Sequence, residues 1–242
     1  EAHTSLAQIA LFYEYDFTGA EKSFKRAIEL DPNYATARQW YGILLTSIGK
    51  NDESVREAKK ALELDPFSLR INSDLYSSLA NANRFDEALL QNKKLNELFP
   101  NEGRFHLGNF QIYADQGKYD QAVEEFLLSV EADKDFKAEN ITRMKEAYGK
   151  RGWDGFWLIL GEIRLEELNA RQAKDPNGYI RAGEFANAYA WGKNKDKTIE
   201  YLNKAYDERE RGMVNLKANK DYDFVRDDPR FKELVKRVGI PE

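Results

Sequence analysis

Residues 49–66, which read GKNDESVREAKKALELDP, contain the pattern that decides the fold of this chain. Residues 15–32 and 83–100 carry the same pattern, so that Pro32, Pro66 and Pro100 stand 34 residues apart. A small residue precedes each proline by twelve positions: Ala20, Ser54 and Ala88. A fixed period of this length predicts an array of helical hairpins, in which each hairpin packs against its neighbours in sequence.

The period divides the first part of the chain into four units: 1–34, 35–68, 69–102 and 103–136. In the second unit, Tyr41, Gly42 and Leu45 form one stripe of a first helix, which we expect to face the second helix. The turn between the two helices, at residues 49–52, suggests Asp52 as the N-cap of the second helix. The predicted second helices run over Ala20–Leu30, Glu53–Leu64, Glu87–Leu98 and Gln121–Ala132.

The period weakens after residue 136. Residues 137–178 predict an atypical hairpin, with a turn at residues 152–155 and a long second helix over Phe156–Ala173. Residues 179–210 resume the repeat spacing as a sixth unit, and residues 211–242 predict a loop and a C-terminal helix. Phe231 lies on the apolar face of that helix, which we expect to cap the last unit by packing on its Tyr201–Tyr206 segment.

The pattern in residues 1–136 resembles that of tetratricopeptide repeats, whose period is also 34 residues. The positions that carry the resemblance are Ala20, Phe24, Ala27, Pro32, Gly42, Ala61, Pro66, Ala88, Pro100, Tyr113, Gly117, Tyr119, Ala122 and Phe126. The resemblance implies an all-α, right-handed solenoid of about six hairpins with a C-terminal capping helix. The family's tryptophan near the start of each unit is replaced here by Thr4, Arg38, Asn72 and His106.

The stretch from Tyr179 to Phe231 further resembles arrays that follow bacterial winged-helix regulators, protein kinases or nucleotide cyclases. That resemblance implies a module of a larger signalling or transcription-regulatory protein. Because the chain opens at Glu1 and in register with a repeat, we interpret it as a fragment cut at a domain edge. We expect a cytoplasmic location, with the extracytoplasmic part of a membrane-anchored regulator as the alternative.

Composition argues against several classes of function. The formal net charge of -5 argues against a nucleic-acid surface, which needs a basic footprint. The absence of cysteine excludes disulfides and thiolate metal sites. No apolar run approaches the ~18 residues of a membrane span.

Residue patterns that carry chemistry are also missing. His3 and His106 are far apart in sequence, and a metal site needs several converging ligands. Neither a phosphate-binding glycine motif nor a nucleophile elbow occurs. The aromatic clusters around Phe12 and Trp157 are interpreted as packing between units, with a ligand platform as the alternative. We therefore expect neither catalysis nor a cofactor.

The expected function is binding of a protein or peptide, which could be another domain of the parent chain. The surface predicted to bind is the groove formed by the first helices, at Ser5, Ile9, Phe12, Tyr13, Gln39, Ile43, Ser47, Arg70, Ser73, Ser77, Asn81, Arg104, Leu107 and Gln111. The alternative for these positions is an ordinary solvated helix face. Positions matching the family's carboxylate clamp do not supply several donors to one carboxylate. The alternative function is self-association, as a homodimer.

Overall fold

The computed structural model describes residues 1–99, 104–131 and 136–241, and every regular element within these ranges is helical. The helices are Ala2–Ile9 (α1), Phe17–Leu30 (α2), Ala35–Ser47 (α3), Asn51–Leu64 (α4), Leu69–Asn81 (α5), Phe85–Leu98 (α6), Arg104–Asp115 (α7), Tyr119–Glu131 (α8), Ala138–Lys174 (α9), Ala182–Trp191 (α10), Lys195–Asp207 (α11) and Pro229–Val238 (α12). A π-helical turn spans Ala10–Glu14, and 3₁₀ turns span Arg211–Asn215 and Lys220–Val225. The prediction of an all-α fold is confirmed.

The second helices α2, α4, α6 and α8 begin at residues 17, 51, 85 and 119, which are 34 residues apart. Each follows a turn whose residue in the left-handed region recurs with the same spacing, at Tyr15, Gly49, Asn83 and Gly117. In three of these turns the next amide closes a wide turn onto the preceding helix, as when Lys50 N–H donates to the Leu45 carbonyl at 2.8 Å. Such a turn satisfies carbonyls that the helix end would otherwise leave unpaired.

Two expectations about helix ends had different outcomes. The residues before proline, Asp31 and Asp65, leave the helical region and end α2 and α4, because the proline ring disfavours the helical conformation there. The expected cap at Asp52 is wrong: α4 begins at Asn51, Lys50 is its N-cap residue, and Asp52 lies in the first turn. An acidic residue in that turn still interacts favourably with the positive end of the helix dipole.

Small residues line the helix pairs, as the spacing predicts. Ala20, Ser54, Ala88 and Ala122 are all completely buried at 34-residue intervals. Ala88 belongs to a core cluster with Leu75 and Leu79, and Tyr76 packs against that cluster. Close packing of antiparallel helices requires a small residue on one helix where the other presents a large one.

The chain divides into two compact units, residues 1–133 with 240–242 and residues 134–239. In the second, α9 is a hairpin of two helical arms joined at Gly152, whose φ of 60° and ψ of -145° interrupt the helix. Arg143 on one arm pairs with Glu166 on the other at 2.8 Å. The sequence predicted a four-residue turn over residues 152–155, but only Gly152 departs from helical geometry.

The arms of α9 approach closely because Gly155 has no side chain: a Cβ there would lie 2.4 Å from the Ala147 carbonyl oxygen. The C-terminal helix α12 packs on α11, where Arg237 donates to Asn203 at 2.8 Å and stacks over the Tyr206 ring. Phe231 is buried, with its ring centroid 6.2 Å from that of Tyr222. The tail helix therefore packs on α11, but the ring contact of Phe231 is with Tyr222 in the 3₁₀ turn Lys220–Val225 and not with the Tyr201–Tyr206 segment where we expected it.

Candidate functional site

The predicted binding residues lie on the first helices α1, α3, α5 and α7 and on the π-helical turn after α1. Along the chain, α1 packs beside α3, and α3 packs beside α5. The side chains that are exposed or partly exposed are Ser5, Ile9, Tyr13, Ile43, Arg70, Ser73, Ser77, Asn81, Leu107 and Gln111. The side chain of Arg104 lies outside the described residues.

Three of the predicted side chains are buried and do not form part of the accessible surface. Phe12 packs edge-to-face on Trp40, with ring centroids 5.6 Å apart. It lies in the π-helical turn, which holds more residues than an α-helical turn and so rotates the residues within it relative to the expected stripe. The Ser47 hydroxyl donates to the Ile43 carbonyl of its own helix.

The third buried residue, Gln39, belongs to a contact between repeats that the sequence did not reveal. Its Nε2 donates to Oδ2 of Asp74 at 2.6 Å, and Arg70 Nε donates to the same oxygen at 3.3 Å. Burial raises the pKa of Asp74, although these two donors oppose the shift. The Arg70 guanidinium also lies over the Trp40 ring, 5.4 Å from its centroid. These contacts join the second and third units along the candidate surface.

The surface begins with exposed apolar side chains on α1 and in the turn that follows it. Ile9 is 47% exposed and Tyr13 is 57% exposed. Leu6, which the sequence reasoning did not select, is equally exposed at 57%. Its spacing of i, i+3 and i+7 with Ile9 and Tyr13 is the signal that could have found it.

The middle of the surface, on α5, is polar and uncharged. The Ser73 hydroxyl donates to the Leu69 carbonyl at 2.8 Å, and the Ser77 hydroxyl donates to the Ser73 carbonyl at 3.0 Å. One turn further, Asn81 Nδ2 donates to the Ser77 carbonyl at 2.8 Å. All three side chains therefore hydrogen-bond to the backbone of their own helix, four residues earlier.

The end of the surface, on α7, carries a carboxylate at the repeat position that Asn81 occupies in the unit before. Gln111 Nε2 donates to Asp115 Oδ1 at 3.1 Å. Burial and the negative charge of Asp115 together raise the pKa of Tyr76, which lies on α5, above its usual range. The Tyr76 hydroxyl donates to the Gly108 carbonyl at 2.7 Å, which fixes α7 against α5.

Aromatic residues of the compact unit 134–239 pack against one another. Trp153 stacks on Phe156 with ring centroids 5.7 Å apart, and Trp157 contacts Trp191 at 5.9 Å. These contacts agree with the interpretation that the aromatic clusters are packing features. Within the ranges that the structure describes, no group of three or more side chains could hold a metal ion, and no helix is long and apolar enough to cross a membrane.

A cavity of about 430 Å³ lies in the compact unit 134–239, beside α10, α11 and the 3₁₀ turns. Its wall includes Glu210, whose carboxylate accepts from the Gly183 N–H, and its rim includes Tyr179, whose hydroxyl donates to Glu208 at 3.0 Å. The sequence did not predict this cavity, because the residues that line it come from separate turns.

The sequence of residues 104–136 matches the tetratricopeptide repeat family model. A search of curated proteins found no match to the sequence. Among solved structures, a tetratricopeptide repeat protein from Parabacteroides merdae is 16% identical, with 99% of this chain and 100% of that chain covered and a TM-score of 0.50. PilW, described as a widely conserved type IV pilus biogenesis factor, is 16% identical, with 93% and 96% covered and a TM-score of 0.51.

A structure of MamA from MSR-1 is 24% identical to this chain. That match covers 55% of this chain and 75% of the other, with a TM-score of 0.48. The matched repeat lies within a described series of helical hairpins whose second helices begin every 34 residues. The chain therefore contains a tetratricopeptide repeat at residues 104–136 and has the all-helical fold of tetratricopeptide repeat proteins.

Proposed function

We propose that this chain is a non-catalytic protein–protein interaction scaffold that binds a peptide or protein segment on the face of its first helices. The observation that carries the proposal is the exposure of three large apolar side chains, Leu6 and Ile9 on α1 and Tyr13 in the π-helical turn that follows it. Contiguous exposed apolar area of this kind marks interaction surfaces in proteins.

The rest of the face supports the same function. Ile43 and Leu107 extend the apolar contacts into the second and fourth units, while Ser73 and Ser77 supply polar groups between them. A face that combines apolar anchors with convergent polar groups can hold a segment in one orientation and register. Helical repeat arrays provide long surfaces of this kind.

The experiment is a selection from a displayed library of random peptides against the chain. Selected peptides are then titrated, by fluorescence anisotropy, against the wild type and two double variants. Ile9→Glu with Tyr13→Glu places charges on the proposed surface. Leu30→Glu with Leu90→Glu makes the same change at two exposed apolar residues on second helices.

The proposal expects peptides that bind the wild type and the second-helix variant equally but lose affinity for the first-helix variant. Binding that survives the first-helix variant, or a selection that enriches no peptide, would contradict it. Circular dichroism of both variants confirms that each remains helical.

Self-association is the second candidate, and the exposed α1 stripe favours it as well. Sedimentation equilibrium distinguishes self-association from partner binding. The average mass of a self-associating chain rises with its concentration, whereas that of a monomer that binds another partner stays constant. A dimer that dissociates when Ile9 and Tyr13 are replaced by glutamate would establish self-association. A monomer throughout supports partner binding.

The partner can also be another domain of the same polypeptide. The resemblance to arrays that follow bacterial signalling and regulatory domains supports this form of the proposal. In that case the bound segment would be present at a high effective concentration, so that modest affinity for an isolated peptide would be sufficient.

A further inference from the structure

The hydrogen-bonding state of the α5 side chains decides which kind of segment the first-helix face can bind. A serine hydroxyl has one hydrogen to donate and two lone pairs to accept. Ser73 and Ser77 both use that hydrogen on backbone carbonyls of their own helix. In this arrangement each hydroxyl presents its acceptor lone pairs to a partner.

Asn81 continues the same row. Its Nδ2 donates to the Ser77 carbonyl, which orients the amide and leaves Oδ1 available as an acceptor and one N–H available as a donor. Successive members of the row are separated by four residues, or about 6 Å along the helix axis. An ammonium or guanidinium group whose donors reach ~2.9 Å can contact two acceptors at this separation.

The charges around the row of Ser73, Ser77 and Asn81 also favour a cationic group. Asp74 and Asp115 lie on α5 and α7, and burial already raises the pKa of Asp74. Among the described side chains of this face, the cation Arg70 is engaged with the Asp74 carboxylate and the Trp40 ring. The whole chain also has a formal net charge of -5, which attracts a cationic partner.

We propose that the face formed by Ile9, Tyr13, Ser73, Ser77 and Asn81 binds an extended segment that carries a large apolar side chain and, separated from it by the width of α3, a lysine or arginine. The apolar side chain contacts Ile9 and Tyr13, and the cation contacts the acceptor row on α5. This inference rests on the proposed function. It disfavours a carboxylate at the acceptor row, since an anion there would meet the lone pairs of Ser73 and Ser77 and the nearby acidic side chains.

The sequences of the peptides selected from the random library give the first test. The proposal expects enrichment of lysine or arginine together with aromatic or aliphatic residues, and depletion of aspartate and glutamate. Groove-dependent binders that are acidic or uncharged would overturn this inference and leave the proposed function intact. A selection that yields no groove-dependent binder would overturn both.

Matched variants give the second test. Asn81→Lys places a cation in the acceptor row, whereas Asn96→Lys makes the same change at an exposed position on the second helix α6. A selected basic peptide should bind Asn81→Lys at least about tenfold more weakly than the wild type, because like charges repel, and should bind Asn96→Lys as tightly as the wild type. Equal affinity for Asn81→Lys would overturn the placement of the cation, provided that circular dichroism shows both variants folded.

Discussion

Nη1 of Arg38 lies 2.8 Å from Oε2 of Glu57, and the two side chains are only 13% and 15% exposed. This ion pair connects the first turn of α3 with the middle of α4. The Arg38 Nε also donates to the Pro32 carbonyl at 3.0 Å, so one side chain joins three parts of the chain. An enclosed pair held by several hydrogen bonds gains more from its geometry than an exposed pair does.

The same arrangement recurs one repeat later and two repeats later. Asn72 Oδ1 accepts from Gln91 Nε2 at 2.8 Å, and His106 Nδ1 lies 2.6 Å from Glu125 Oε2. Both partners of each pair are 34 residues from those of the previous pair. Arg38, Asn72 and His106 stand where the family has its tryptophan, so polar pairs take the place of that apolar contact between the two helices of a unit.

A double-mutant cycle on Arg38→Leu and Glu57→Leu tests the ion pair. Each single variant should lower the free energy of unfolding by roughly 1–3 kcal/mol, because it removes the closest partner of a largely buried charge. The double variant should lose less than the sum of the two, with a coupling energy of about 0.5–3 kcal/mol measured by urea unfolding. Strictly additive losses would show that the two side chains do not stabilise each other.

Gly152 is the position at which the backbone conformation is most demanding. Gly152→Ala should lower the thermal midpoint, since a side chain at φ 60° and ψ -145° costs about 1–3 kcal/mol. Gly149→Ala is the control, because it lies in the same helical arm with open space around it and should be neutral or stabilise by about 0.5–1 kcal/mol. If both variants melted like the wild type, the hinge geometry would be wrong.

The small-residue contacts of the third unit give a further prediction. Ala88→Phe should lower the thermal midpoint by roughly 2–12 °C, because overpacking a filled core costs about 1–3 kcal/mol. Asn96→Phe, at an exposed position on the same helix, controls for the larger side chain. Calorimetry measures both, and an unchanged midpoint for Ala88→Phe would contradict the pairing of α5 with α6.

The C-terminal helix gives a fourth prediction. Phe231→Ala should lower the free energy of unfolding of the compact unit 134–239 by about 3–5 kcal/mol, because it removes a buried ring that packs on Tyr222. Glu233→Ala, on the exposed side of α12, should change stability by less than about 0.5 kcal/mol. Limited proteolysis around residue 227 provides the measurement, and equal resistance of both variants would show that α12 contributes no capping.

Much of the fold could be predicted because its signal is local and repeated. Ala20, Ser54 and Ala88 mark a packing requirement that each unit must satisfy separately, so the sequence shows it three times. The Asp-Pro dipeptides mark helix ends through the sterics of the proline ring alone. Both features depend on residues that are close together in the chain.

The features that could not be predicted depend on contacts between repeats or on a single local distortion. Gln39 is buried because Asp74, 35 residues later, accepts its hydrogen bond. Phe12 is turned inward by a π-helical turn, which no residue pattern indicated. Asp115 and Asn81 occupy the same repeat position, yet only the structure shows which hydrogen bonds their side chains make.

The most direct measurement of the central claim is hydrogen–deuterium exchange of the chain with and without a selected peptide, followed by mass spectrometry. Binding on the first-helix face should slow exchange in α1, α3, α5 and α7 and leave α2, α4, α6 and α8 unchanged. Protection confined to the second helices, or to residues 134–239, would contradict the claim that the first helices form the binding surface.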